Sequence, residues 1–294
     1  MSCFESGPPE GSPPESEAST PLLEVPEAEK EKETRSRSHG SGQNVVWKLL
    51  VGSILVGFLI SSAVRGSFNK SCVTGQGPIA KREIDVLPFA SIEAGGSFNV
   101  YITPAEKHQV SVESNANIID RMKIETMNGE LTIGTKSGCV SAGTLNVYVE
   151  TPELDRLVTR GSGDVHTQGI FGTFNGANKT YKSITTYGSG DTSAAFENVD
   201  IMTIQMLGSG DLKLKGNCVT NHVKSVGSGD LKALKFQSQE TAIAQVGSGD
   251  SQIAVNQTLT VYIFGSGDVK YKGDPKITSN IYGSGEVIHV GSSM

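Results

Sequence analysis

The sequence predicts an all-β protein: a right-handed parallel β-helix (solenoid) with an N-terminal β cap, preceded by one transmembrane helix and a disordered tail. Three observations carry that expectation. First, Gly-Ser-Gly-Asp occurs six times after residue 160, and a seventh copy reads Gly-Ser-Gly-Glu. The copies begin at Gly161, Gly188, Gly208, Gly227, Gly247, Gly265 and Gly283, at intervals of 27, 20, 19, 20, 18 and 18 residues. Self-similarity at such a period marks units that bury their apolar faces against one another. Second, apolar residues between the copies alternate with polar ones, which is the side-chain period of a strand. Third, one long apolar run precedes the repeats.

Residues 1–44 carry six of the eleven prolines, nine acidic residues and almost no aliphatic pattern. Such a segment buries too little apolar surface to offset its chain entropy, so the composition predicts a disordered cytoplasmic tail. Net charge is −6 over the chain, and the tail supplies most of it. From residue 65 onward 22 acidic residues stand against 20 basic ones, a balance that argues against nucleic acid as partner.

Residues 45–64 run Val-Val-Trp-Lys-Leu-Leu-Val-Gly-Ser-Ile-Leu-Val-Gly-Phe-Leu-Ile-Ser-Ser-Ala-Val. As a helix they would be about 30 Å long, the thickness of a bilayer's hydrocarbon core. Lys48 lies near one end beside Trp47, where it can snorkel. A cleaved signal peptide is the rival reading, with Ser61-Ser62-Ala63 as its cleavage site. Lys30, Lys32, Arg35, Arg37 and Lys48 sit at or before the span, which predicts a single-pass protein with a cytoplasmic N-terminus and an extracellular or lumenal C-terminal domain. Sequons at Asn69, Asn178 and Asn256 lie on the expected outer side. Residues 65–82 read as a stalk. Cys72, Cys139 and Cys218 would all lie outside; three is an odd number, so one disulfide plus one thiol is expected and the pairing stays open.

Residues 83–160 read as the N-terminal β cap and first coils. Alternation is clear in Ser97–Thr103, Gln109–Glu113 and Thr144–Glu150, and Asn128-Gly129 is a hairpin signal between Met122–Met127 and Glu130–Gly134. Residues 161–294 hold the repeats. The residue after the acid is usually aliphatic (Val165, Leu212, Leu231, Val269, Val287), and four residues before each next turn stands another (Leu157, Ile184, Ile204, Val223, Ile243, Val261). The first unit is longer, with an insertion expected at Gly169–Asn178. No cap is evident at the far end, where an open edge would allow self-association through the C-terminal rung.

The runs Phe89–Ile102, Val110–Asn115, Gly129–Ile133 and Val147–Leu154, followed by the Gly-Ser-Gly-Asp copies, resemble the auto-transporter adhesin head GIN domain family over roughly residues 83–290. The resemblance implies a β-helical surface or secreted domain; its name implies adhesion, and it brings no catalytic residues.

The acids Asp164, Asp191, Asp211, Asp230, Asp250, Asp268 and Glu286 should line up along one edge. One reading makes each a cap for the backbone of its own turn. A second makes Asp191, Asp211, Asp230, Asp250 and Asp268 a calcium-binding edge, Ca²⁺ being the single candidate cofactor. A third is a stripe that meets sugar hydroxyls. An enzyme is disfavoured. The carboxylates recur identically, where acid–base chemistry needs unlike environments, and no arginine follows Arg160. His108, His166, His222 and His289 fall at unrelated repeat positions. Tyr187, Phe264 and Tyr282 directly precede turns, where exposed rings can stack on sugars or protein loops. The functional expectation is adhesion or binding of a glycan or protein ligand without catalysis. A calcium-stabilised structural module and a carbohydrate-active enzyme are the alternatives.

Overall fold

The computed structural model describes residues 72–136, 138–172 and 180–291. In chain order its strands begin with β1 (Val73–Thr74), β2 (Ile79–Ile84), β3 (Ser91–Gly96), β4 (Asn99–Pro104) and β5 (Gln109–Asn115). A single helical turn, α1 (Ala116–Ile119), is followed by β6 (Met122–Met127), β7 (Glu130–Thr135), β8 (Val140–Ser141), β9 (Asn146–Thr151) and β10 (Arg156–Gly161). The repeats supply β11 (Val165–Thr167), β12 (Phe171–Gly172), β13 (Tyr181–Gly188), β14 (Thr192–Gly208), β15 (Leu212–Gly227), β16 (Leu231–Gly247) and β17 (Ser251–Gly265). The last three are β18 (Val269–Lys272), β19 (Lys276–Gly283) and β20 (Val287–His289).

Eighteen of these strands form one sheet; β1 and β8 pair separately. Two walls can be traced through the large sheet. In the first, β2 and β9 flank β5 antiparallel, β9 joins β4 in parallel, and β11, the first halves of β14–β17, β18 and β20 continue in parallel. In the second, β6 and β7 form an antiparallel hairpin, and β3, β10, β13, the second halves of β14–β17 and β19 follow in parallel. The walls are continuous with one another. On one side β14–β17 run from wall to wall through register breaks such as that between Phe196 and Val199. On the other the Gly-Ser-Gly turns bond from unit to unit, as in Ser189 N–H to the Gly161 carbonyl at 2.9 Å. The result is a nearly closed, barrel-like sheet of mixed strand direction around one core.

That core follows from the alternation read in the sequence. Leu157, Ile184, Ile204, Val223, Ile243 and Val261 pair successively across β10, β13 and β14–β17, and each is 0–1% exposed. A side chain of this size contributes about 1.5–3 kcal/mol when fully buried. The Asn128-Gly129 hairpin forms as expected, with both residues at positive φ (51° and 76°), the conformation a two-residue hairpin turn requires.

The expected right-handed parallel β-helix with short strands and a separate cap is corrected. The strands through the repeats run 15–17 residues. Antiparallel pairs are built into the same sheet, and the first coils are not a separate cap: β3 and β4 are in register with β10 and β11. The physical reason is that alternation and unit length specify strands and their spacing, whereas the direction of each neighbour is set by the connections. Within the expected stalk, Ile79–Ile84 lies in the main sheet against β5, and Cys72 is bonded to Cys139, which ties β1 to β8. Cys218 is the buried thiol.

The expected tail (1–44), membrane helix (45–64) and sequons Asn69 and Asn178 lie outside the described residues. Among those described, no helix is long and apolar enough to cross a membrane; the one helix, α1, has four residues. The expected single-pass anchor, with its cytoplasmic and outer sides and its membrane partner at 45–64, therefore has no support in the structure and is set aside. The part of the expected insertion that is described, β12, packs the Phe171 ring on Phe196 at 6.2 Å.

Candidate functional site

The repeat motif builds one edge of the molecule. Stacked turns bring backbones together, and this explains both glycines. Gly188 has φ +120°, and a Cβ there would lie 2.2 Å from the Gly161 carbonyl oxygen. At Gly190 a Cβ would lie 2.1 Å from the Gly163 oxygen. The same two clashes recur at the glycines beginning at Gly208, Gly227, Gly247, Gly265 and Gly283, and Gly161 meets Gly96 likewise.

The acids form a ladder with a defined hydrogen-bond rule. Each Oδ1 accepts the backbone N–H of the next acid: Asp164 from Asp191, Asp191 from Asp211, Asp211 from Asp230, Asp230 from Asp250 and Asp250 from Asp268, all at 2.9 Å. Asp268 accepts from Glu286 at 3.0 Å. Each acid thus caps the following unit, not its own turn as one sequence reading had it. The second oxygens of Asp211 and Asp250 accept from Lys232 (2.5 Å) and Lys270 (2.8 Å). Burial alone would push the Asp211 carboxyl up, but the Lys232 ammonium and the Asp230 N–H outweigh it and hold it below the usual carboxylate range. Lys270, with the Asp268 N–H, lowers Asp250. The lysines move the opposite way, Lys232 chiefly through Asp211 and Lys270 through Asp250. Among the described residues no group of three or more His, Cys, Asp or Glu side chains is arranged to hold a metal ion.

The ladder has an eighth member that the sequence reading missed. Asn99 Oδ1 accepts the Asp164 N–H at 3.3 Å, and Ser162 Oγ bonds Ser97 Oγ at 3.1 Å. Gly96-Ser97-Phe98-Asn99 is therefore a divergent copy of the motif, with Phe98 in place of the second glycine and Asn for Asp. A search allowing any residue at the third position and Asn at the fourth would have found it. Gly163 is needed opposite it, since a Cβ there would stand 1.9 Å from the Phe98 oxygen.

Beside the ladder lies a groove of about 460 Å³ on the outer face of the first wall, lined by His166, Ser193, Asp191, Lys213, Lys215 and Lys232 among others. Sheet register places these side chains. Tyr148, Tyr101, His166, Ser193, Lys213 and Lys232 are successive partners across β9, β4, β11, β14, β15 and β16. They form one continuous outward stripe, aromatic at one end and cationic at the other. The Tyr101 and Tyr148 rings stack at 5.4 Å, and the Tyr101 and His166 rings are 5.8 Å apart. The ring of His166 bonds Ser193 Oγ through Nδ1 at 2.8 Å. Tyr148 donates to Glu113 at 2.8 Å, and this bond raises the phenol and lowers the carboxyl. Lys213 and Lys215 are exposed and make no ion pair among the described residues. The sequence reading put the histidines at unrelated repeat positions; His166 in fact follows its acid by two residues, as Ser193, Lys213 and Lys232 do, and register sets these positions in one row.

The other expected features are dispersed. The Tyr187 ring carries the Arg160 guanidinium at 4.3 Å, and Phe264 stacks on Tyr282 at 5.0 Å, both away from the groove. His108 bonds Thr151, and His289 stacks on Tyr271. Asn256 is half-buried on β17, where its side-chain oxygen accepts from Gln237 at 2.8 Å.

Fold and edge together define a class: an all-β domain whose repeated glycine turns and capped acids hold a wrapped sheet rigid, leaving outer faces free to carry side chains. The chain belongs to the family described as "putative auto-transporter adhesin, head GIN domain", whose model matches residues 88–275. Similar solved structures include a "putative adhesin" from Bacteroides fragilis NCTC 9343 (23% identity, TM-score 0.66, covering 74% of this chain and 100% of that one). A "putative lipid binding protein" from Parabacteroides distasonis ATCC 8503 shares 24% identity at TM-score 0.63, over 75% of this chain and 100% of that one. A "putative adhesin" from the same strain shares 20% at 0.58, again over 75% and 100%. At these identities the likeness is one of fold. No curated protein matches the chain.

Proposed function

We propose that the domain is a non-catalytic binding module of adhesin type, and that its ligand is an acidic glycan held along the stripe from Tyr148 to Lys232. The observation that carries this reading is the register that sets stacked aromatic rings and the exposed Lys213 and Lys215 on one face with the groove between them. Lysines attract carboxylates or sulfates, and Lys81, whose ammonium lies 4.5 Å from the Tyr148 ring centroid, adds a cation at the aromatic end. Asp191 and Ser193 add an acceptor and a hydroxyl for sugar hydroxyls. The absence of catalysis is supported by the ladder's uniformity. Its acids share one hydrogen-bond pattern, whereas glycoside hydrolysis needs two carboxyls in unlike environments.

The test is binding of the full chain to an immobilised sulfated or uronate polysaccharide, with a neutral polysaccharide as control. Lys213→Glu with Lys215→Glu should weaken binding at least about ten-fold, since each lost contact to a charged group contributes about 1.5–3 kcal/mol. The melting temperature should stay unchanged and added salt should weaken binding. Equal retention on the neutral polymer, or shortening of the polymer by the protein, sinks the reading.

A further inference from the structure

Among the described residues nothing covers the C-terminal end of the core. Within that set β19 pairs with β17 alone, and all eight of its residues are exposed. Its partners Leu259, Val261 and Ile263 are 0% exposed and face the core. Ile277, Ser279 and Ile281 stand in register with them and face the same way, yet Ile277 is 38% and Ile281 41% exposed. The opposite end of the molecule is finished differently: antiparallel β2 and β5 close the first wall, and Ile118 and Ile119 of α1 are buried there. Exposed sheet edges are normally guarded by proline, bulges or several charges. Lys276–Gly283 has no proline, one charge and no register break against β17.

We propose that this edge pairs with β19 of a second copy of the chain, antiparallel, about a two-fold axis through Ser279. The sequence of the strand is self-complementary in that register. Ile277 falls opposite the partner's Ile281 and Ile281 opposite the partner's Ile277, so four isoleucines join the two open cores into one. On the outer face Lys276 falls opposite the partner's Tyr282. That ring is 60% exposed and already stacked on Phe264, so its free side can receive an ammonium. Thr278 faces the partner's Asn280, and no like charges meet. Moving the axis to Thr278 sets Ile281 against the partner's Pro275, which has no N–H to give; moving it to Asn280 sets Ile277 against the partner's Gly283. Only the Ser279 axis pairs both isoleucines of each chain. A two-fold contact is also closed, so it makes a dimer and not a fibre.

Sedimentation of the full chain over a concentration series tests this. The unaltered chain should reach the mass of a dimer. Ile277→Asp and Ile281→Lys should each sediment at half that mass with unchanged melting temperature. An equimolar mixture of the two variants should regain the dimer, because in the mixed pair the new acid and the new base face each other and the remaining isoleucines meet. A single mass of one chain at every concentration for the unaltered protein overturns the proposal. So does a dimer that survives either substitution, a failure of the mixture to restore it, or an assembly that grows beyond two.

Discussion

At the scale of single residues the ladder acids do two jobs with two oxygens. Oδ1 satisfies a backbone N–H of the next unit, and where a lysine is near, Oδ2 holds an ion pair. Asp230→Asn keeps an acceptor at Oδ1 and should change stability little. Asp230→Ala leaves the Asp250 N–H without its partner and should cost about 1–2 kcal/mol, the usual penalty for a lost cap. Thermal melts of both variants separate the acceptor from the charge. The ion pairs set a pH dependence. Asp211 and Asp250 are held below the ordinary carboxylate value, so the stability they add is present above about pH 4 and is lost as pH falls through their lower folded values. Lys232 and Lys270 are raised, so their share is present below about pH 10.4 and is lost as pH rises through the higher folded values. These side chains are 31–42% exposed, so solvent screens the effect and salt should reduce it. Melting curves against pH should show the acid limb flattening in Asp211→Asn with Asp250→Asn.

At the scale of the element the turn is the limiting geometry. A Cβ at Gly210 would lie 2.1 Å from the Gly190 carbonyl oxygen, a contact to backbone that no side-chain rotation relieves. Gly210→Ala should destabilise the domain by about 1–3 kcal/mol, as overpacking does in a tight interior, and the loss should appear as a lower melting temperature. The serine between the glycines is exposed, and its hydroxyl bonds that of the next copy in pairs such as Ser228 and Ser209. The glycines, the acid and the aliphatic residue after it were all legible in the sequence because each repeats at a fixed place. The divergent copy at Gly96–Asn99 was not, since Phe98 and Asn99 replace two of the four motif residues. Tyr101 and Tyr148 went unnoticed for a related reason. Each stands two places after an asparagine instead of an aspartate, so the row they share with His166 and Lys213 is hidden by the divergent copies.

At the scale of the whole molecule the Cys72–Cys139 disulfide fastens the N-terminal end. It closes a separation of 67 residues and holds β1 on β8, which among the described residues pair with nothing else. Reduction should lower stability by roughly 2–4 kcal/mol, read as a drop in denaturant midpoint. Cys218 should not interfere, because burial pushes its thiol up to about 12 and leaves little thiolate to react. The wrapped sheet also gives the two proposed contacts different origins. The stripe lies on an outer face made by parallel register, and the C-terminal edge exists because, among the described residues, β19 has a neighbour on one side only.

The sequence by itself determined the all-β class, the repeat, the family and the need for glycine at the turns. Each of these rests on local periodicity or on a conformation that one residue type supplies. Tertiary structure decided the rest. It set the mixed direction of the sheet and the merging of the N-terminal strands with the repeats, because neighbours distant in the chain choose their direction through connections and not through alternation. It assigned the disulfide, since pairing depends on which cysteines are brought together. It turned one repeated position, two places after the acid or asparagine, into a single face of rings and lysines, because parallel register sets those positions side by side.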